Sequence, residues 1–204
     1  MSLTIAIIII TCLVSITSFN RPDQIDKLSF WPYKVAHNKE YYRFLTSGFI
    51  HGDFMHLFFN MLTLYFFGSV AESYMQAYLG GKFFYILLYV LGLILPDVYT
   101  FFRYKDVYGY RTIGASGAVS AVLFSSIFFE PWHKLGLYFV IPIWGILYGL
   151  LYLVYSAYMS RRGGGDGINH DAHFWGAVLG FIFPLVMRPE LARVFLEKIT
   201  RLPF

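Results

Sequence analysis

The sequence predicts an all-α membrane protein, a bundle of six transmembrane helices whose fourth helix is short and starts deep. Three observations predict it. Apolar and aromatic residues make up 57% of the 204 residues and charged residues only 14%, against roughly 25% charged in a soluble domain. Six apolar runs reach or approach the roughly 20 residues that a spanning helix needs. One of these runs, 116–129, covers only about 21 Å at 1.5 Å per residue, against a hydrocarbon core of about 30 Å.

The first run, Leu3 to Phe19 ("LTIAIIIITCLVSITSF"), has no basic residue before it and no small-residue cleavage site after it, which predicts a retained span and not a signal peptide. The stretch from Asn20 to Ile50 mixes Trp31, Tyr33, Tyr41 and Tyr42 with charges, as suits the membrane–water interface. Further spans are predicted over about 54–74, 82–102 (with Pro96 and Asp97 near its end), 116–129, 135–158 and 171–187. "SRRGGGDGI" (160–168) is glycine-rich and predicts a mobile loop. With no internal repeat, residues 1–204 read as one membrane domain. Because the fourth run is short, the loop 103–114 before it must dip into the membrane region. Irregular backbone there needs protein or trapped water to satisfy it, which predicts a wet cavity above Ser116.

Several chemistries are excluded early. The single cysteine, Cys12, rules out a disulfide framework and a cysteine metal site. The net charge of +4 is scattered, with no cluster for nucleic acid. No HExxH occurs, so no metal and no other cofactor is expected. Gly163 to Asp166 spells GxGD, a pattern of aspartyl intramembrane proteases, but it lies in a hydrophilic loop beside Arg161 and Arg162.

Polar groups inside apolar runs are costly and so point to function. In the second run, His56 and Asn60 stand four apart on one helical face, as interhelical glue or as a site. Glu72 lies more than three turns further on and reads as a structural hydrogen-bonding group near the opposite membrane surface. In the sixth run, His173, Gly176 and Gly180 share a face, and the two glycines let another helix approach closely. Ser116, Gly117, Ser120 and Ala121 offer a matching small face on the fourth run. If these faces meet, His173 comes near Ser116.

That pairing suits nucleophilic catalysis, in which a base takes the proton of an attacking hydroxyl. The oxyanion formed needs donors. Candidates are the Ser116 backbone amide at a helix start, the Ala115 amide beside it, the Asn60 side chain and a His56 ring nitrogen. Gly114 and Gly117 would let backbone come close. Asp171 is two residues from His173 and falls on another face, so the pattern is a Ser–His dyad.

On these residues the chain resembles the rhomboid intramembrane serine proteases. "YYRFLTSGFIHGDFMHLFFNMLTLYFFG" with Glu72 following is similar to that family's second-span block, "GASG" to its nucleophile motif, and "AHFWGAVLG" to its AHxxGxxxG block. The resemblance implies that Ser116 is the nucleophile, His173 the base, His56 and Asn60 the oxyanion hole, and His51 structural. Arg43 and Glu72 would support the fold. The family often has Trp before the loop arginine, where this chain has Tyr42. Some relatives place an aromatic residue four positions after the nucleophile, stacked on the catalytic histidine; here Ser120 offers a hydroxyl in place of a ring.

The resemblance further implies a multi-pass protein of the bacterial inner membrane with both termini cytoplasmic. Its basic residues lean the other way, towards the implied outer loops. Its partners would be the lipid bilayer and the transmembrane helices of protein substrates; the resemblance leaves the oligomeric state open. The fifth span would gate lateral access and the glycine-rich loop would cap the cavity. Two other readings compete: a catalytically silent rhomboid-like binder of membrane helices, and a small transporter using His56, Glu72, Asp97 and Asp171.

Overall fold

The first helix, α1 (Leu3–Ser18), buries its polar stripe and exposes its apolar one. Thr4, Thr11, Ser15 and Ser18 are buried, while Ile9, Ile10, Leu13 and Ile16 are exposed. A helix of a water-soluble protein has the reverse arrangement. Its amino end is fixed by Glu72 from the middle of the chain, which accepts from the amides of Leu3 and Thr4, each at 3.1 Å, and from Ser2 Oγ at 2.7 Å. The computed structural model describes residues 2–137, 141–162 and 167–202.

After α1 the interfacial stretch folds into short helices. Prolines open α2 (Pro22–Leu28) and α3 (Pro32–Asn38), where a missing N–H costs nothing. α4 (Arg43–Thr46) runs into a single 3-10 turn, Ser47–Phe49. Arg43 is 2% exposed and donates to the carbonyls of Asp26 (2.7 Å) and Ser29 (2.8 Å) while pairing with Glu40. Arg43 thereby ties α4 to the end of α2.

The long helices follow. α5 (Phe54–Leu79) is capped by Asp53 and stops at Gly80, whose φ of 86° only glycine adopts readily. α6 (Phe83–Tyr104) continues through Pro96, so that proline lies inside the helix and not near its end. These two helices are long and apolar enough to cross a membrane. α1 and α7 (Ser116–Phe129) are apolar but shorter. In α7 every residue after Ser116 is buried, because α5, α6 and α9 surround it.

The expectation of a fifth span starting at 135 is corrected. Residues Lys134–Leu137 (β1) and Ile141–Trp144 (β2) form an antiparallel pair, with Lys134 opposite Trp144. Pro142 has no N–H for a helix ladder, and Ile141 and Ile143 favour extended backbone. The helix itself, α8 (Gly145–Arg162), begins after them. Its carboxyl end takes up the start of the glycine-rich loop, while residues 163–166, including the GxGD spelling, lie outside the described residues. α9 (His170–Met187) and the short α10 (Leu191–Thr200) complete the described chain.

Candidate active site

The site is set by a contact between backbones. A Cβ on Gly176 would lie 2.2 Å from the Gly117 carbonyl oxygen, and one on Gly180 would lie 2.0 Å from that of Ala121. Both pairs keep the same offset, so α7 and α9 run parallel at the seam. On its other side Gly117 faces α6, where a Cβ would meet the Gly92 carbonyl at 2.9 Å. No side chain larger than hydrogen fits this junction. The seam brings the amino ends of α7 and α9 to the same end of the bundle, with Ser116 on the first and His173 on the second.

Ser116, His173, His56 and Asn60 line one cavity of ≈ 580 Å³. Its volume falls within the usual range for ligand sites, roughly 300–1,000 Å³. The start of α9 above it is well anchored. Asn169 caps the helix by accepting from the Ala172 amide (3.1 Å), and its own amide donates to Asp97 of α6 at 3.2 Å. Asp171 pairs with Arg103 at 2.9 Å and accepts from the Ser160 hydroxyl. Asp171 thus serves the junction of α6, α8 and α9, as its place on a different face of α9 implied.

The opposite wall is built around Gly114, with φ of +115°. A Cβ there would fall 2.8 Å from both Cε1 and Nε2 of His56, so glycine is needed on steric and conformational grounds alike. The Gly52 amide donates to His56 Nδ1 at 3.4 Å. That bond assigns the proton to Nε2, the nitrogen nearer Gly114. The Asn60 side chain gives one hydrogen to the His56 carbonyl at 2.9 Å and keeps a second. The Ser116 amide opens α7, where amides have no intrahelical partner.

The Ala115 amide is a correction. It donates to His51 Nε2 at 3.4 Å and is therefore turned away from an oxyanion in the cavity. His51 is fully buried. Because its Nε2 accepts, its Nδ1 carries the proton and donates to Ser15 Oγ (2.9 Å), which donates in turn to the Phe49 carbonyl (2.8 Å). Burial, reinforced by the neighbouring His56, pushes the His51 pKa down to about 3. This neutral ring is a strut between α1 and the turn before Ser116. Two more expected residues lie away from the cavity: Arg43 in the interfacial cap, and Glu72 at the far end of α5 with Lys82 at 2.8 Å.

Sequence reasoning missed Tyr152. This α8 residue places its ring nearly parallel to that of His173, at 20° with centroids 6.2 Å apart, and its hydroxyl lies 2.7 Å from Ser120 Oγ. The only sequence signal was Ser120 itself, a hydroxyl where a ring was expected.

Residues 38–190 match the Rhomboid domain family. The chain belongs to the rhomboid family. It is also similar to RHOMBOID-like protein 12, mitochondrial, of Arabidopsis thaliana, with 33% identity over 150 residues, covering 68% of this chain and 44% of that protein. The rhomboid chain thus spans less than half the length of this relative. With its apolar helices, family membership makes it a membrane protein. The relative's name places it in a mitochondrion of a plant, so the expected bacterial inner membrane gains no support from it.

Proposed function

We propose that this rhomboid is an intramembrane serine endopeptidase that cuts transmembrane helices of other membrane proteins. The observation that carries the proposal is the shared cavity: Ser116, His173, His56 and Asn60 come from α7, α9 and α5 and line one space. Ser116 Oγ attacks a substrate carbonyl carbon while His173 takes the hydroxyl proton. The oxyanion is held by the Ser116 amide, His56 Nε2–H and the second Asn60 hydrogen. The C–N bond then breaks, and His173 returns the proton to the leaving amine. Water attacks the acyl-serine, giving its proton to His173, and Ser116 is regenerated. Asp171, the carboxylate nearest in sequence, pairs with Arg103, which supports reading the unit as a dyad.

In this reading α1, α5, α6, α7, α8 and α9 all span the bilayer, and the exposed apolar faces of α1 and α8 support it. A substrate helix must unwind locally, since its carbonyls are otherwise bonded within the helix. The test is cleavage of a reporter transmembrane substrate in proteoliposomes. Ser116→Ala and His173→Ala are expected to abolish it, and a fluorophosphonate probe is expected to label the wild type at Ser116 and spare Ser116→Ala. Turnover retained in both variants overturns the mechanism. A wild type that binds the substrate helix without cutting or labelling supports the silent-binder reading instead.

A further inference from the structure

The seam between α7 and α9 fixes the backbone of His173 but not its ring. The residue is half-buried beside a cavity, with rings from α8 and α9 against it. His170 meets the ring edge-on at 5.9 Å and 73°, but it belongs to the same helix and moves with it. Tyr152 comes from another helix. Its ring lies nearly parallel to the imidazole at an offset-stacking distance. Its hydroxyl is held by Ser120, one turn after Ser116 on the same face of α7. Tyr152 therefore lies alongside the proposed base with its ring and reaches the helix of Ser116 with its hydroxyl.

We infer that Tyr152 is a positioning residue for His173, and that seating α8 against α7 aligns the base through this ring. The inference rests on the Ser–His reading above. The second half follows from how α8 is held. Its buried residues are Gly145, Gly149 and Ser156, whereas Leu147, Leu150, Leu151 and Val154 are exposed. Its polar ties to the bundle include Tyr152–Ser120 in the middle and Ser160–Asp171 at the carboxyl end. A displacement of α8 away from α7 breaks the first tie and withdraws the ring from His173 in one movement. Alignment of the base and closure of this wall are thereby coupled.

The experiment compares Tyr152→Leu, Tyr152→Phe, Ser120→Ala and the double variant Ser120→Ala/Tyr152→Phe. Each is measured in proteoliposomes for kcat, KM and thermal unfolding. Loss of the ring is expected to lower kcat by about 10- to 100-fold, as for a misplaced base, with KM and Tm near wild type. Tyr152→Phe keeps the ring and is expected within about fivefold of wild type, the effect of one neutral hydrogen bond. Ser120→Ala should match it, and the double variant should cost no more than either single one, since both remove the same bond. A Tyr152→Leu protein with undiminished kcat overturns the inference. So does Tyr152→Phe failing as badly as Tyr152→Leu, or a double variant whose losses multiply. A wild type that neither cleaves nor labels fells the dyad reading and this inference with it; an active wild type with an indifferent Tyr152 fells this inference alone.

Discussion

The two flanks of α7 are built differently. Towards α9, carbonyl oxygens of Gly117 and Ala121 sit where the Cβ atoms of Gly176 and Gly180 would be. Towards α8, Gly149 rests on the side chains of Phe124 and Ile127 at 3.3 and 3.5 Å from its would-be Cβ, and a hydroxyl pair completes the contact. The first flank is backbone against backbone and has no freedom to adjust. The second is made of side chains that can turn. The helix that carries Ser116 is thus locked to the helix that carries His173, and leans on a wall that can be moved.

The largest effect expected from breaking this contrast is on the locked flank. Gly180→Leu puts a side chain into the Ala121 carbonyl, and the helices must part. The expected loss is about 4 kcal/mol or more, enough to prevent folding, read as absence of a cooperative unfolding transition in detergent. A protein that still unfolds near the wild-type Tm would show that the seam is pliable. Next is Glu72→Ala, remote from the site. It strands the amides of Leu3 and Thr4 and the Lys82 ammonium, and is expected to cost roughly 3 kcal/mol with little change in kcat; equal stability would deny Glu72 its role as anchor of α1.

Acid sharpens the same comparison through His51. Its folded pKa of about 3 lies below the ordinary histidine value of 6.5. In that window the unfolded chain binds the proton that the folded ring refuses, so stability is full above pH 6.5 and declines as pH falls towards 3. Asp53 and His56 are the titratable neighbours of this ring and are common to wild type and variant. His51→Asn should therefore be less stable at pH 7 but show a shallower loss between pH 6.5 and 4.5. An unchanged slope would mean that His51 is not the group responsible. The smallest effects belong to the adjustable flank. Leu150→Ala, at a residue 60% exposed, should shift stability by less than about 0.5 kcal/mol; a larger loss would show that α8 is fastened more firmly than its burial indicates.

How much of this was legible in the sequence follows from the same distinction. Backbone-to-backbone contact demands glycine, and glycine is visible in a sequence: Gly176, Gly180, Gly117 and Gly114 announced both the seam and the turn before Ser116. The Tyr152–His173 stack was not legible, because α8 also carries Tyr148, Tyr155 and Tyr158, and which ring meets the imidazole depends on how two helices rotate against each other. Ser15 was hidden for a related reason: a serine in an apolar helix reads as generic glue until its partner is known. The strand pair before α8 was missed because a short apolar run has no period that separates strand from helix. The Ala115 amide looked available because its true acceptor, the His51 ring, is 64 positions away.

The strut from Ala115 through His51 to Ser15 has a consequence for the order in which the chain is made. It fastens the turn before Ser116 to α1, a helix made before α5, α7 and α9. His173 arrives later than Ser116, on α9. While residues 117–172 are being added, the growing chain carries the proposed nucleophile without the proposed base. On the proposed mechanism, a version cut short before residue 170 would hold the serine turn without its base, so the making of α9 is the arming step.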